Sequence, residues 1–478
     1  MILILFIDLV VVISLIVASR RRLQDALPLF CFFLVLMPFE SRIVVPGVVD
    51  ISTERVALLT LLILFLVRPR RSSFREIPLK RLIWLHVGWA LCSTAYSLSV
   101  VTSTKQLIAQ VLEYYLLYYI FLKTISEVRT IYRIVYAMAM AMGLCCIFGM
   151  FEAYGSWSIL QLFPSNLWIS YDRADPLYIE WGRGLRVRST FPHPILFGDA
   201  LAMCIPLTLY LVSIWKKSGQ RVVLWVSVVL MFWGLYKTSS RGPWIALAIS
   251  CALLFVLVHN RVRRYVTVMA VLSLMVVVAR PGIRDTIVGL YQSTQDSTSP
   301  VGSSYEYRHA LTDAVTSAVA KEPGRAILGY GLGTFRELGL QINFLHSVQR
   351  WYTCDNNWAA FLYETGYVGL VIIAMLLFKP LLMTLKSYQR LPRPERYFSG
   401  VLFIVLAAFY FMLLSVAGYS WGQQGFIAWI LISLSVVYPR VAMRDRQDIT
   451  ASSRPLQTAV LVPEPPVPAL QSLWDGTI

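Results

Sequence analysis

The chain has 478 residues, of which 57% are hydrophobic and 14% are charged, and its mean hydropathy is +0.63. This composition excludes an ordinary soluble domain, because too few polar residues remain to cover an apolar core. The formal net charge of +17 does not indicate a nucleic-acid partner, since the basic residues fall mainly between apolar segments.

Apolar segments long enough to cross a bilayer as helices recur along the chain. They predict an all-α integral membrane protein, a polytopic helical bundle, because a membrane β-barrel would show alternating segments of about ten residues. The first segment is expected to be a retained helix, since its basic residues, 20–22, follow it rather than precede it. About 12–14 transmembrane helices are expected. They are placed near residues 1–19, 25–40, 52–67, 82–99, 106–122, 134–154, 194–215, 222–236, 243–259, 265–280, 356–378, 398–416 and 420–438.

The distribution of Lys and Arg predicts the topology. With the N-terminus in the periplasm and the C-terminus in the cytoplasm, every cytoplasmic loop is basic and the short outer loops are nearly neutral. The longer segments 155–193 and 281–355 then face the periplasm, as parts of a transmembrane domain over residues 1–440. A helix is predicted at 305–321 within the second segment. Residues 441–478, rich in Pro, Ser and Gln, are expected to be a disordered cytoplasmic tail.

Four outward-facing arginines near predicted membrane boundaries are candidate substrate-binding residues: Arg186, Arg188, Arg241 and Arg308. Guanidinium groups bind phosphate oxygens bidentately and stay charged, which suits a lipid-linked pyrophosphate. The alternative for each arginine is binding of lipid headgroups or snorkelling to the interface. Arg241 is the strongest candidate, because it lies in a short Gly-Pro hairpin.

Acidic residues near the same boundary supply further candidates. Asp199 and Glu364 lie inside predicted spans near the arginines, so they are expected to face the bundle interior or a water-filled cavity and to contribute to substrate binding. Asp355 is the candidate catalytic base, because a carboxylate at the outer end of a helix can accept a proton from a sugar hydroxyl. The alternative is that Asp355 and Asn356 cap the helix. His346 is a second candidate for the base, unless it is only solvated.

No cofactor or metal is expected. The five histidines form no HxxxH or HExxH motif, and the seven cysteines form no CxxC pair. The sequence Gly-Tyr-Gly-Leu-Gly at residues 329–333 has no Rossmann or P-loop context, so it predicts a tight turn rather than a phosphate site.

The order of these motifs resembles the O-antigen ligase and O-antigen polymerase superfamily, bacterial inner-membrane glycosyltransferases with a GT-C-type helical fold. The resemblance covers about residues 188–370. It rests on Arg188-Ser189-Thr190-Phe191 with Pro194 before a span, Ser240-Arg241-Gly242, Arg308, Ile327-Leu328 with the following turn, and Glu364, Gly366 and Gly369-Leu370.

The resemblance implies that a glycan passes from undecaprenyl diphosphate to the hydroxyl of an acceptor glycan, without metal or nucleotide sugar. Arg188, Arg241 and Arg308 would hold the diphosphate, and Asp355 would activate or orient the hydroxyl. Ligases of the family usually have a histidine, ten residues and then a glycine at the last junction. Here Asp355 precedes Gly366 by the same spacing, which favours the polymerase-like members.

The sequence therefore predicts a polysaccharide polymerase or ligase of O-antigen or exopolysaccharide assembly, acting at the periplasmic face of the bacterial inner membrane. Expected partners are the lipid-linked donor, an acceptor glycan or lipid-linked glycan, membrane lipid, and polysaccharide export or assembly proteins. Three alternatives stay open. A peptidoglycan polymerase of the shape-and-division type would have nearer ten spans, a transporter or lipid-glycan flippase would place its charges at the bilayer midplane, and a non-catalytic assembly scaffold would need no arginine or aspartate chemistry.

Overall fold

The computed structural model describes residues 1–38, 40–43, 50–68, 76–163, 177–180, 184–279, 288–289, 292, 300–344 and 347–452. Within these ranges the chain is an α-helical bundle. The helices are α1 Ile2–Ala18, α2 Leu27–Leu36, α3 Thr53–Val67, α4 Lys80–Ala95, α5 Val100–Gln110, α6 Leu116–Thr124, α7 Val128–Gly155, α8 Pro194–Ile214, α9 Ser218–Lys237, α10 Arg241–Leu257, α11 Asn260–Ala279, α12 Pro300–Ala320, α13 Pro323–Leu328, α14 Thr334–Leu338, α15 Asn357–Arg390, α16 Glu395–Met412 and α17 Gly422–Ser452.

Strands are confined, in the described residues, to three short antiparallel pairs. Each pair is joined by a single local connection. The strands are β1 Arg42–Ile43 with β2 Ile51–Ser52, β3 Ile179–Glu180 with β4 Gly184–Leu185, and β5 Leu340–Phe344 with β6 Ser347–Trp351.

The all-α fold class is confirmed. Each of the predicted spans overlaps a helix, although a π-helical turn at Val111–Tyr115 joins α5 to α6. In the described part of the chain, 6 helices are long and apolar enough to cross a membrane, namely α7, α8, α9, α15, α16 and α17. Helix α17 continues to Ser452, past residue 440 where the sequence placed the end of the transmembrane domain. Residues 453–478 of the predicted tail lie outside the described residues.

Helix α8 is the central element of the bundle. In its most apolar stretch of 18 residues, 94% of the residues are buried. The helix packs against α7, α9, α10 and α16. A helix that is apolar on all sides is stable in this position, because every face meets another helix. Because α8 is enclosed along its length, the first turn of α8 is surrounded by the ends of the neighbouring helices.

The predicted helix at 305–321 is present as α12, and its apolar side is covered by protein. Leu311, Val315 and Val319 belong to one buried cluster with Ile342 of β5 and Tyr363 of α15. This packing fixes α12 against the start of α15.

Helix α15 is kinked at Gly366, whose backbone (φ 69°, ψ −177°) is not helical. The predicted turn at 329–333 docks on this kink. The N–H of Tyr330 donates to the carbonyl of Tyr363 and that of Gly331 to the carbonyl of Glu364, both at 2.9 Å. The turn and the Asp355–Gly366 junction therefore form one unit.

Candidate functional site

A cavity of about 400 Å³ lies at the end of the bundle where α8 begins. Its walls come from the first turn of α8, from α14, from residues 352–355, from the first turns of α15 and from residues 416–421. Both Asp355 and Glu364 line it. The structure thus brings two of the predicted site residues into one concave, partly polar space.

Asp355 forms an ion pair with Arg308. Asp355 Oδ2 lies 3.9 Å from Arg308 Nη2, and the side chains are 37% and 22% exposed. The same Nη2 of Arg308 donates a hydrogen bond of 3.2 Å to the carbonyl oxygen of Ser415. The guanidinium is therefore held between α12 and the segment that follows α16.

The cap of helix α15 is supplied by Asn356. Its Oδ1 accepts the N–H groups of Trp358 at 3.0 Å and Ala359 at 3.3 Å. An acceptor at the N-cap satisfies amides that have no partner within the helix. The carboxylate of Asp355 is therefore not needed as the cap and faces the cavity beside Arg308.

Burial raises the pKa of Asp355 above its ordinary value, while Arg308 lowers it and the negative charge of Glu180 raises it. Protein atoms packed around the carboxylate disfavour its charged form. A carboxylate with a raised pKa is a stronger base than a solvated one, provided that it is ionised.

Arg186 is buried, and each nitrogen of its guanidinium donates to a protein acceptor. It is 2% exposed, and it donates from Nε to the carbonyl of Thr238 at 2.9 Å and from Nη2 to Ser240 Oγ at 2.8 Å. Its Nη1 pairs with Glu180. Arg186 therefore ties the β3–β4 hairpin to the connection between α9 and α10.

Arg188 lies beside Arg186, also buried, in a segment whose backbone is held by Glu152 of α7. Glu152 Oε2 accepts the N–H groups of Arg188 and Ser189, both at 3.0 Å, and Oε1 accepts from Ser158 Oγ at 2.8 Å. Ser189 has a positive φ of 55°. A non-glycine residue in this conformation is maintained by its surroundings, here by these bonds.

An aromatic contact joins this segment to α8. The guanidinium of Arg188 lies 5.7 Å from the ring centre of Tyr178, and that of Arg186 lies 5.8 Å from it. The hydroxyl of Tyr178 is 2.9 Å from His193 Nε2. His193 Nδ1 accepts the N–H of Ile195, so in the neutral ring Nε2 carries the proton and donates to the hydroxyl.

Arg241 is the first residue of α10 and is half-buried. The next residue, Gly242, packs on the segment after α16: a Cβ there would lie 3.2 Å from Ser415 Oγ. Arg308 contacts the carbonyl of the same serine. The start of α10 and Arg308 therefore both lie next to Ser415.

The remaining predicted residues differ in position. Glu364 lines the cavity, and its carboxylate accepts the backbone N–H groups of Gly333 and Phe335. Asp199 is 2% exposed inside α8 and is not among the residues that line the cavity. His346 lies outside the described residues.

Arg336 and Trp421 are among the cavity residues that were not singled out from the sequence. Arg336 of α14 is exposed, and its guanidinium lies 5.1 Å from the ring centre of Trp421, which lines the opposite wall. Arg336 follows the turn at 329–333 by three residues, and this proximity was its only signal in the sequence.

In the described part of the chain, no three His, Cys, Asp or Glu side chains come together as a potential metal site.

The fold and the cavity define the class: a polytopic α-helical membrane protein with a cavity at one end of its bundle that is lined by Arg336 and the carboxylates of Glu337, Asp355 and Glu364. Residues 226–374 match the family described as O-antigen ligase. This match confirms the resemblance to the O-antigen ligase and O-antigen polymerase superfamily for the stretch from α9 into α15. It includes Arg241, Arg308, Asp355 and Glu364. No curated protein matches the chain significantly.

Proposed function

We propose that the protein is a glycosyltransferase of the bacterial inner membrane that polymerises or ligates a glycan carried on undecaprenyl diphosphate. The ion pair of Arg308 with Asp355, which lines the cavity, is the observation that carries the proposal. In this proposal the cavity opens to the periplasm, the N-terminus is periplasmic and the C-terminus is cytoplasmic. The basic loops between apolar segments support this orientation.

The reaction replaces one bond to the anomeric carbon with another. The hydroxyl oxygen of the acceptor glycan bonds to that carbon, and the bond from the carbon to the diphosphate oxygen breaks. The proton of the hydroxyl passes to Asp355, and undecaprenyl diphosphate leaves with the bonding electron pair. No oxidant, reductant or nucleotide is required, because the diphosphate is an activated leaving group.

Arginine side chains stabilise the leaving group. Negative charge grows on the diphosphate as its bond to the sugar breaks, and positioned cations stabilise such charge more in the transition state than in the ground state. Arg308 and Arg241 are the partly accessible candidates on the α10 and α12 side. Arg336 lines the cavity itself, from α14.

Arg186 and Arg188 have a different role in this proposal. Both are buried, and the hydrogen bonds of Arg186 end on protein atoms. Arg186 positions the α9–α10 connection that leads into Arg241. Arg188 adds positive charge next to Tyr178, whose hydroxyl contacts the cavity residue His193. Glu364 keeps α14 in place through the amides of Gly333 and Phe335.

The aspartate at the junction favours a polymerase. Ligases of the family usually carry histidine at this position, and Asp355 keeps the ten-residue spacing to Gly366. We therefore place the protein in O-antigen or exopolysaccharide assembly, where the acceptor is itself a lipid-linked glycan. Polysaccharide export or assembly proteins would act beside it.

The test is a gene deletion complemented at matched protein levels. Asp355→Ala and Arg241→Ala should each abolish long surface chains, whereas Asp313→Ala and Arg264→Ala, which remove exposed charges away from the cavity, should restore them. Single repeat units left on the lipid would indicate a polymerase, and full-length chains left on the lipid would indicate a ligase. Normal chain length with both Asp355→Ala and Arg241→Ala would refute the site.

A further inference from the structure

A second, larger cavity lies at the far end of α8 from the candidate site. Its volume is about 1030 Å³, and it is enclosed by the start of α7, the end of α8, the start of α9, the start of α16 and the last turns of α17. The candidate site surrounds the first turn of α8, and this cavity surrounds its last turn, near Ile214. The two cavities are therefore on opposite faces of the bundle.

Positive charge dominates the lining of this cavity. Its cations are Arg129, Arg133, Lys216, Lys217 and Arg446.

The two acids in the lining are already engaged. Glu395 Oε2 lies 3.2 Å from Arg446 Nη1, and Asp445 Oδ2 accepts the N–H of Val128 at 3.0 Å. Arg129, Lys216 and Lys217 have no acidic partner within ion-pair distance in the part of the chain that the structure describes. Three exposed cations thus face one space with no described carboxylate paired to them.

The rest of the lining is aromatic and apolar. Trp215 stacks on Tyr136, with ring centres 5.3 Å apart and planes at 19°, and Trp215 Nε1 donates to Gln220. Ile214 and Ala442 add an apolar wall between α8 and α17. Tryptophan and tyrosine are enriched where membrane proteins cross the headgroup region, so this composition matches the boundary between lipid and water.

We propose that this cavity binds the headgroup of an anionic phospholipid. Basic pockets between transmembrane helices suit a phosphate diester, because the cations neutralise its charge while the acyl chains lie along apolar helix surface. The uncompensated charges of Arg129, Lys216 and Lys217 contact the phosphate, and the Trp215–Tyr136 stack flanks it. The proposal is independent of the proposed glycosyltransferase activity.

The experiment compares the full-length protein in nanodiscs of phosphatidylglycerol and of phosphatidylcholine, with thermal unfolding as the readout. The wild-type protein should have a higher Tm in phosphatidylglycerol. K216Q/K217Q should lose at least half of that difference, and Arg129→Gln added to it should remove most of the remainder. K216R/K217R, which keeps both charges, should retain the difference.

The matched control is K379Q/K386Q, which removes two exposed lysines of α15 outside this cavity. It should respond to phosphatidylglycerol as the wild type does. An equal lipid response of all variants would overturn the proposal. Equal stabilisation of the protein in phosphatidylcholine by soluble glycerol phosphate would also overturn it, because the ligand would then be a free phosphate compound.

Discussion

A Cβ atom on Gly366 would lie 2.2 Å from the carbonyl oxygen of Ile327, so the kink of α15 and the end of α13 fit together only with glycine at this position. The backbone of Gly366 (φ 69°, ψ −177°) is also in a region that other residues rarely adopt. Gly366→Ala should destabilise the protein by at least about 1–3 kcal/mol from backbone strain, with the collision adding to it. Thermal or detergent-induced unfolding of the purified protein measures the change.

Gly88→Ala is the matched control for this substitution. Gly88 lies within α4, and a Cβ there would meet no atom within 4 Å. Alanine is the better helix former by about 1 kcal/mol, so this variant should be as stable as the wild type or more so. If the two variants unfold alike, the fit between Gly366 and Ile327 does not stabilise the junction.

Asp355→Asn should abolish most of the activity while leaving the fold intact. An amide cannot accept the proton of the acceptor hydroxyl, and loss of a general base typically costs about 10²–10⁴-fold in rate. The helix cap is unaffected, because Asn356 supplies it. Transfer in isolated membranes with a lipid-linked donor measures the rate, and Asp313→Asn controls for a changed charge. A rate near that of the wild type would remove Asp355 from the mechanism.

The charges around Asp355 predict how activity depends on pH. The base acts when ionised, so activity should fall as the pH falls through the pKa of Asp355, which burial raises. Arg308→Gln removes the cation that lowers this pKa, so the acidic limb of the rate profile should move to higher pH. Glu180→Gln removes a negative charge that raises it, so the limb should move to lower pH.

Profiles of rate against pH for the wild type and both variants test this prediction, because the two expected shifts of the acidic limb have opposite signs. A purely structural role of Arg308 and Glu180 would lower the rate without moving the limb. Shifts in the same direction for both variants would show that another group sets the acidic limb.

Hydropathy predicted the fold well, because each predicted span is an apolar segment whose helix satisfies its own backbone hydrogen bonds. The predicted ends of the helices were less accurate. Helix α17 runs to Ser452 through a polar region that the sequence assigned to the tail, since α17 continues past the membrane segment without a break. The kink at Gly366 had no signal in hydropathy, because it results from contact with residues about forty positions earlier in the chain.

Only part of the site could be predicted in the same way. Residue type and boundary position indicated Asp355, Glu364 and Arg308, which the structure places in or beside one cavity. The sequence could not show that Arg186 has a structural role instead, because its burial and its hydrogen bonds depend on a tertiary contact with the α9–α10 connection. Arg336 was missed because its place in the cavity depends on how the turn at 329–333 folds, which the sequence does not show.

Arg186→Ala should lower stability more than it lowers the chemical rate of the folded fraction. Removing one partner of a fully buried charged pair costs about 3–5 kcal/mol, and the loss here should lie below that range because Glu180, left without the guanidinium, is 23% exposed. Unfolding measurements and the rate per folded molecule separate the two effects. The control is Arg264→Ala, which removes an exposed arginine at the start of α11. A stable Arg186→Ala protein with no activity would instead assign Arg186 to substrate binding.

Glu152 should support the site through the backbone that it holds. Glu152→Ala leaves the N–H groups of Arg188 and Ser189 without their acceptor, at about 1–3 kcal/mol for each buried amide. Glu152→Gln should be mild, because the amide oxygen can still accept both N–H groups while its NH₂ donates to Ser158. Since Arg188 lies next to Tyr178, which contacts the cavity residue His193, the alanine variant should also bind the donor more weakly, seen as a raised KM. Equal effects of the two substitutions would show that the charge of Glu152, rather than its hydrogen bonds, matters.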